Sequence, residues 1–455
     1  MLISDLANRD LAILGAGREG LAAWRCLREQ FPDKTITIYD EGEAAAFAGL
    51  PFNPSLDRLV CGTFDAATLA GHDILIRSPG ISPYREDLAA LHQQGTRFTS
   101  ASSLWFAQHA DEKTICITGT KGKSTTAALV AHLLKQQGAK TRLAGNIGKP
   151  LLDFMGEKAD WWVIELSSYQ LCDLQAAPSI SAVLNLTDEH LDWHGGSGAY
   201  QQDKLRLAEL AGAGPLVANA LDERLTGQFE HRVNTHWFGQ PAGWHVSHNT
   251  LCHGDSRFDD VPRKFLPGPH NLANLAAALT ILERADVWFH SDPEALNAAL
   301  ASFTSLPHRL QTLGTFDGVR YISDSLSTTP VATLAALEAC DAQQTILLLG
   351  GMDRGLDWRP FAPQMKELAP RAVICLPDNG PDIAAVLREA GLDPPGGIQC
   401  AASLADAMDK TSQLVQAGDT VLLSPGAPSF PHFRDYEERG EQFAVLAENI
   451  ERSRA

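Results

Sequence analysis

The seven residues Gly119-Thr120-Lys121-Gly122-Lys123-Ser124-Thr125 lie between an apolar, strand-like run, Thr114-Ile115-Cys116-Ile117-Thr118, and a helix-like run from Thr126 to Gln137. That order constrains the chain more than any other feature in it. Two glycines let backbone N–H groups crowd an anion, and the helix N-terminus adds partial positive charge. Lys123 adds a full positive charge, and the Ser124 hydroxyl is suited to ligate Mg²⁺. The pattern is a phosphate cradle whose expected ligand is a nucleoside triphosphate. It is the shortened form of the motif, since the common form carries a further glycine where Ile117 stands.

At 455 residues the chain has room for about three ordinary domains. The first segment reads as a strand Leu11 to Leu14, the turn Gly15-Ala16-Gly17-Arg18-Glu19-Gly20, a helix Leu21 to Gln30 and a strand Ile36 to Asp40. This is a β-α-β opening with a G-x-G-x-x-G turn. A further strand, Asp73 to Arg77, runs into Ser78-Pro79-Gly80, a loop of the kind that lines the ligand crevice of open α/β sheets. The central unit adds strands Trp162 to Leu166 and Ser181 to Leu186. The last unit has strands near 320–323, 345–349, 372–376 and 420–424. Short apolar runs alternating with helices predict parallel sheets. The expected fold is α/β in three domains: a Rossmann-like domain over 1–108, a P-loop ATPase-like domain over 109–310 and a second Rossmann-like domain over 311–455.

Charge narrows the partners. A net charge of −18 argues against a nucleic acid or an anionic membrane, both of which need a basic footprint. Any nucleotide must then be held by local cations, helix N-termini and Mg²⁺ against the field of the whole molecule. No apolar stretch approaches the ~20 residues of a spanning helix, and the start Met1-Leu2-Ile3-Ser4-Asp5-Leu6 lacks the regions of a signal peptide, so a cytoplasmic protein is expected. Eight cysteines are scattered without a C-x-x-C pair, which reads as buried reduced thiols rather than zinc or disulfide sites.

Two further stretches can carry chemistry. Glu165 ends a strand and faces the polar loop Ser167-Ser168-Tyr169-Gln170. A carboxylate there suits Mg²⁺, which takes one or two carboxylates plus phosphate oxygens; a helix N-terminal acid is the plainer reading. Thr187-Asp188-Glu189-His190-Leu191-Asp192 follows the next strand and precedes a helix-like Ala199 to Arg206. His190 there is either a metal ligand or a solvated loop residue.

The assembled order of motifs resembles the Mur ligase family, the ATP-dependent amide-forming enzymes of peptidoglycan precursor synthesis, over essentially the whole chain. Its marks are Gly119 to Thr125, Gly145-Asn146-Ile147-Gly148, Glu165-Leu166-Ser167-Ser168, Asn185 to Asp192 followed by Lys204, Gly268-Pro269-His270-Asn271-Leu272-Ala273-Asn274, Leu306-Pro307-His308-Arg309, Asp324-Ser325, and Gly350-Gly351-Met352-Asp353-Arg354-Gly355. The N-terminal glycine turn is most similar to the branch that adds glutamate to UDP-N-acetylmuramoyl-L-alanine. So is the tail Leu422-Leu423-Ser424-Pro425 with Ser429, Phe433, Tyr436, Glu437, Arg439 and Gly440. By that resemblance Gly15, Gly17, Arg18, Glu19, Gly20, Asp40, Glu41 and Ser78 hold the UDP end of the substrate, while Asn146 and Ser167 grip its muramoyl-alanine part. ATP is held by the phosphate loop with Asn271, Asn274, Arg309 and Asp324. The resemblance makes Lys123, Glu165, His190 and Lys204 catalytic. One Mg²⁺ falls to Ser124 and Glu165, and a second to His190 and a CO₂-derived carbamate on Lys204. It implies attack of the alanyl carboxylate on the γ-phosphate, then displacement of phosphate by the amine of glutamate. The chain is expected to act as a monomer.

Departures from that pattern fall largely on one side. Lys121 replaces the usual asparagine beside the triphosphate. Leu326 stands where common glutamate-adding members carry a lysine, Arg354 replaces another lysine, and Tyr436 replaces a phenylalanine. The resemblance assigns Leu326, Thr328, Arg354, Ser429 and Tyr436 to the glutamate pocket, where arginine's planar fork grips a carboxylate differently from lysine's point charge. The altered residues lean toward the rarer branch that adds L-glutamate, with D-glutamate as the alternative. Two rival readings remain. A dinucleotide oxidoreductase is suggested by Asp40, about 20 residues past the glycine turn, but it leaves Gly119 to Thr125 unexplained. A non-catalytic nucleotide-binding protein has to explain Lys123, Ser124, Glu165, His190 and Lys204 one by one.

Overall fold

The computed structural model describes residues 1–42, 50–262, 269–304, 306–429 and 431–454. The chain divides into two compact units, one formed by Met1–Val261 with Pro269–Ser302 and the other comprising Pro262–Gly268 and Phe303 onward.

The first unit holds two parallel sheets. One has five strands in the order Asp57–Cys61, Ile36–Asp40, Leu11–Leu14, Ile74–Arg77, Arg97–Ser100. The strand order reverses at Leu11–Leu14, which opens a crevice between the loops after Leu14 and Arg77. The other has six strands in the order Thr235–Phe238, Leu216–Asn219, Ile180–Val183, Thr114–Thr118, Trp161–Glu165, Thr141–Gly145. Here the reversal falls at Thr114–Thr118, so the phosphate loop leaves the sheet at its own switch point, flanked by the ends of the strands closing at Glu165 and Val183. Both faces of these sheets are covered, which is why their strands read as unbroken apolar runs: Leu11–Leu14, Thr114–Thr118 and Ile180–Val183 are buried throughout.

The two sheets of this unit share one hydrophobic cluster, in which Leu11, Ile13 and Ile76 join Trp105, Trp162, Ile164 and Leu207. The connector is the helix Ala101–Gln108, buried from Ala101 to Phe106 and capped by the Ser100 hydroxyl, which accepts from Ser103 N. Its Trp105 stacks on His109 at 4.3 Å and meets Trp162 edge-on at 4.8 Å. The expected boundary near residue 108 thus follows a helix that packs the two sheets into one core.

Two features differ from the parallel sheets the alternation of elements predicts. Trp244–Ser247, Thr250–His253 and Ser256–Phe258 form a small antiparallel sheet. Its first turn places His248 and Asn249 both at positive φ, the backbone of a type I′ hairpin, in a dipeptide that does not announce one. Its second turn, Gly254-Asp255, is a recognisable hairpin signal. The predicted strand to Leu186 also ends early, at Val183, after which Asn185 turns onto the phosphate loop.

The second unit has six strands in the order Gln311–Phe316, Val319–Ser323, Thr420–Leu423, Thr345–Leu349, Ala372–Cys375, Ile398–Cys400. All neighbours are parallel except the edge hairpin of Gln311–Phe316 with Val319–Ser323, which carries an irregularity between Thr312 and Gly314. The loops after Ser323, Leu349 and Leu423 therefore emerge at one end of the sheet.

Because Trp105 is fully buried in the shared cluster, Trp105→Ala is expected to destabilise the first unit by about 3–5 kcal/mol. Urea unfolding followed by tryptophan fluorescence measures this; a loss under about 1 kcal/mol contradicts the connector role.

Candidate active site

The phosphate loop is shaped by its two glycines and by hydrogen bonds from behind. Gly119 and Gly122 both take positive φ, and Gly122 caps the helix Lys123–Gln136 from the left-handed region. The positive φ at Gly122 favours glycine, and a Cβ there would also displace the Asn274 amide. The rest of the loop is tied from behind. Thr120 N donates to Asn185 O at 3.0 Å, Lys121 N donates to Asn185 Oδ1 at 2.8 Å, and Asn185 Nδ2 donates back to Lys121 O at 3.0 Å. Thr120 Oγ1 donates to Thr187 O at 2.9 Å and meets the Tyr200 hydroxyl at 2.8 Å. Lys123 Nζ folds onto Thr120 O at 3.0 Å, Ser124 is buried at the start of the helix with Thr125 beside it, and Lys121 pairs with Glu189.

Around this loop the structure gathers the charged residues singled out in the sequence. Glu165 is 1% exposed; its Oε1 accepts from Asn146 Nδ2 at 2.6 Å, and its Oε2 is buried with no hydrogen bond. Gly145 is required beside it, since a Cβ there would overlap Glu165 O, and Asn146 N donates to that oxygen at 2.9 Å. Lys204 is 2% exposed on the helix Ser197–Leu210 and donates to Gly119 O at 2.9 Å. Burial first, then Lys123, holds its pKa well below the lysine range against the opposing pull of Glu189 and Glu165. His190 sits at positive φ, a costly conformation for this residue, and half-exposes its ring. Burial lowers its pKa; Glu189 opposes this, while Lys204 and Lys123 add to the lowering. A neutral imidazole and an unsatisfied carboxylate oxygen beside a phosphate loop fit divalent cations, with Ser124 and Glu165 as one donor pair.

The crevice of the five-stranded sheet is a cavity of about 220 Å³ lined by Gly17, Arg18, Glu19, Ser78, Asn146 and Gln170, among others. Sequence-predicted residues for the UDP end and for the muramoyl-alanine part therefore meet in one cleft. Ser78 Oγ donates to Gly15 O at 2.8 Å, and a Cβ on Gly20 would overlap that same carbonyl, which is why the third glycine of the turn is needed. Asp40 accepts from Ala16 N at 2.6 Å and Gly42 N at 2.8 Å, bracing the glycine turn; Glu41 pairs with Arg85 at 2.6 Å; and Arg18 donates to Gly148 O. Ser167 caps the short helix Ser168–Leu171 in a reciprocal pair with Gln170, whose Nε2 donates to Glu19 Oε1 at 3.0 Å. Burial pushes the Glu19 carboxyl up to about 7, with Gln170 and Arg18 opposing the rise.

Asn271 and Asn274 lie on the helix Pro269–Arg284, joined by a 3.2 Å hydrogen bond, with Asn274 against Gly122. The Gly268 mark lies outside the described residues.

In the second unit, Leu326 and Thr328 follow Ser323, Arg354 follows Leu349, and Ser429 follows Leu423. All belong to loops at the same end of the sheet, and Tyr436 opens the last helix. Ser429 lines a cavity of about 650 Å³ that Gly351, Phe433 and Arg439 also line. Arg354 is exposed, Leu326 N donates to His308 O at 3.1 Å, and Tyr436 donates its hydroxyl to Glu437 at 3.0 Å. Arg439 is buried and donates to Ser325 and Ala427, while a Cβ on Gly440 would strike the His308 ring. Both residues lock the last helix to the loops at the strand ends. Asp324 is buried, accepts from Ser424 Oγ at 2.8 Å and from Leu310 N at 3.1 Å, and burial raises its pKa to about 6; Arg309 next to Leu310 opposes the rise.

Comparison with known proteins decides the family. Residues 117–282 match the family model for the Mur ligase middle domain, and residues 308–426 match the model for the Mur ligase glutamate ligase domain. A Xanthomonas campestris pv. campestris protein named UDP-N-acetylmuramoyl-L-alanine--L-glutamate ligase is 44% identical over 98% of this chain and 97% of its own. The chain belongs to the Mur ligase family. Proteins of the same name from Xylella fastidiosa and a Micromonospora species are 40% and 38% identical over the same shares. Among solved structures, a Thermotoga maritima UDP-N-acetylmuramate-alanine ligase superposes with a TM-score of 0.60 at 17% identity, covering 97% of this chain and 100% of that one. A T. maritima MurF ligase in complex with ADP gives 0.59 at 16%, over 100% and 97%. These fix the mixed α/β Mur ligase fold with its parallel sheets.

Sequence reasoning missed a polar network behind Lys204 in this Mur ligase. His194 Nδ1 meets Asp203 at 2.7 Å, its Nε2 meets Ser168 Oγ at 3.0 Å, and the Tyr84 hydroxyl donates to both oxygens of Asp203 at 2.7 Å. Asp203 adjoins Lys204, which was a usable signal. Tyr84 lies 119 residues away in sequence and gave none.

The raised Glu19 pKa has a definite sign. The folded state binds more protons than the unfolded chain between pH ~4.5 and ~7, so stability is greatest below that window and falls as pH rises through it. Glu19→Gln is expected to flatten the thermal-unfolding profile across this window and to gain most, relative to the parent, near pH 8. An unchanged slope contradicts the assignment.

Proposed function

We propose that this chain is an ATP-dependent ligase that joins L-glutamate to the alanyl carboxyl of UDP-N-acetylmuramoyl-L-alanine, in peptidoglycan precursor synthesis. The observation that carries it is the convergence of a phosphate loop, an orphaned Glu165 oxygen and a buried Lys204 in a family of ligases. The names of its 38–44% identical relatives support the glutamate enantiomer, as do Leu326, Arg354 and Tyr436. We read the chain as three domains over 1–108, 109–310 and 311–455, serving the UDP end, ATP and the amino acid in turn. Consuming ATP and a uridine diphosphate sugar suits a cytoplasmic location.

In this reading Lys123 and the N–H groups of the first turn of its helix bind the β- and γ-phosphates and draw negative charge away from the phosphorus that the alanyl carboxylate attacks, yielding an acyl phosphate and ADP. Mg²⁺ held by Ser124 and Glu165, and a second ion held by His190 and a Lys204 carbamate, would supply charge neutralisation between two anionic reactants. The depressed Lys204 pKa raises the share of neutral amine, the form that can add CO₂ by forming an N–C bond and releasing a proton. Asp203, fixed by Tyr84 and His194, orients the helix turn that carries Lys204. The cleft would hold the uridine nucleotide at Glu19 and Ser78 and the muramoyl-alanine part at Asn146, and Arg354 with Ser429 and Tyr436 would hold the incoming glutamate. Asn271 and Asn274 would add nucleotide contacts in the first unit, and Arg309 and Asp324 would be the nucleotide-contacting residues of the second.

Phosphate release from ATP with UDP-N-acetylmuramoyl-L-alanine and Mg²⁺ tests the reading when run with L- and D-glutamate in parallel and the product mass checked. Turnover with L-glutamate at least ~100-fold above D-glutamate, or ~2.7 kcal/mol of discrimination, is expected. Turnover with D-glutamate alone overturns the enantiomer, and silence with both overturns the ligase reading. Lys204→Ala is expected to lower kcat by ~10³-fold or more without rescue by added CO₂; full activity of that variant removes the carbamate.

A further inference from the structure

The small antiparallel sheet that parallel topology did not anticipate carries a second cluster of ligating groups, on elements other than those holding the phosphate loop. His253 ends the strand Thr250–His253, Glu283 lies in the last turn of the helix Pro269–Arg284, and His290 follows that helix. One ligand atom from each lies within 4.8 Å of the others. His253 Nε2 is 3.3 Å from Glu283 Oε1, and His290 Nδ1 is 3.4 Å from the same oxygen.

Those separations are informative. They exceed the ~2.7–3.2 Å of an N–H···O hydrogen bond, and His290 Nδ1 is buried without any hydrogen bond. A tetrahedral zinc ion at ~2.0–2.1 Å from each donor separates its ligand atoms by about 3.4 Å, which matches the two separations from Glu283 Oε1. The surroundings are also those of a ligand set. Trp244 Nε1 donates to Glu283 Oε1 at 2.8 Å and fixes the carboxylate, as outer partners of metal-binding carboxylates do. The two imidazoles stack at 4.6 Å with planes 11° apart, so their rings must turn out of this stack for both in-plane lone pairs to meet one ion; Trp244 lies 4.8 Å from the His253 ring, and Trp288 meets His290 edge-on at 5.5 Å. Arg284 reaches toward the other carboxylate oxygen, Oε2, at 3.9 Å, on the side away from the histidines.

We propose that His253, Glu283 and His290 form a binding site for one borderline transition-metal ion, zinc by preference, with a fourth position left to water. Two imidazoles and one carboxylate select such a metal over Mg²⁺, which takes oxygen ligands. The ion ties three separate pieces of chain together: the antiparallel sheet, the helix that begins beside the phosphate loop, and the segment following it. Its effect is therefore on the stability of this part of the first unit.

The test uses the full chain, stripped by a chelator and titrated with Zn²⁺ by calorimetry, and separately with Co²⁺, whose visible absorption reports coordination by nitrogen and oxygen. The parent is compared with His290→Ala, which alters a residue about one-third exposed, and with Glu283→Gln, which keeps an acceptor for Trp244. The parent is expected to bind one equivalent more Zn²⁺ than either variant, or to bind it at least ~100-fold more tightly, and to gain ~3 °C or more in unfolding midpoint on Zn²⁺ addition. Ligase turnover in His290→Ala is expected to match the parent, since this residue takes no part in the reaction. Equal stoichiometry and affinity in parent and variants place the metal on thiols or beside the phosphate loop and overturn the proposal, as does the absence of binding by the parent.

Discussion

Two buried charges facing one phosphate loop govern the architecture of the first unit. Glu165 and Lys204 are both almost fully enclosed and sparsely partnered: one carboxylate oxygen is orphaned, and the lysine nitrogen has one backbone acceptor, with the Tyr200 ring 5.1 Å away. Groups in that condition are expensive to keep folded. A chain selected for stability alone would replace them with apolar residues of similar volume. Their presence is understandable where bound phosphate and cations supply further partners. The rest of the central sheet braces the residues around them. Asn185 ties the loop from below, Tyr200 fixes Thr120, and Gly145 is stripped of a side chain so that Asn146 can reach Glu165.

How much of this was legible in the sequence depends on the range over which each signal acts. The phosphate loop was readable because strand, glycines, lysine and helix are contiguous, and its strand Thr114–Thr118 falls where the apolar run stands. The helix starts at Lys123, earlier than the run from Thr126 suggests, because its first turn is the polar cradle itself. Glu165 was visible as a strand-end acid; that its second oxygen lacks a partner was not, since that depends on Gly145, Asn146 and packing from several strands. The network of Tyr84, Asp203, His194 and Ser168 joins residues from both parallel sheets of the unit, and no local pattern announces it.

The boundary near residue 108 shows the same limit in another form. Composition and motif order separate a glycine-turn segment from a phosphate-loop segment, and two distinct sheets are indeed present. Yet Trp105 and Trp162, from either side of that boundary, share one core with Leu11 and Ile164. Apolar residues in a helix announce that a face must be buried without saying against what. Gln170 adds a polar link of the same kind by donating to Glu19 from across the boundary. The cleft at Ser78 is therefore connected to Glu165 through packed groups and short hydrogen bonds, within one compact unit.

The amino-acid side admits a different argument, because charge can be relocated along a sheet end without altering the sheet. On the proposed reading the amine of glutamate must reach an acyl phosphate, and this fixes one substituent of its α-carbon. Inverting that carbon while the amine stays in place moves the carboxylates, so the cations that read them must move too. In the second unit the loop after Ser323 carries no cation from Asp324 to Thr329, whereas the loop after Leu349 carries Arg354, exposed and with a planar fork. The two loops leave the same end of one parallel array, with the Thr420–Leu423 strand between them. Losing the positive charge from the first loop while the second exchanges a lysine for the planar fork of Arg354 changes where a carboxylate is held without disturbing Arg439, Ser325 or the buried strands beneath them. Stereochemical preference can change in this way while the fold stays constant, because the frame is set by buried apolar strands and the reading groups sit on the loops that leave them.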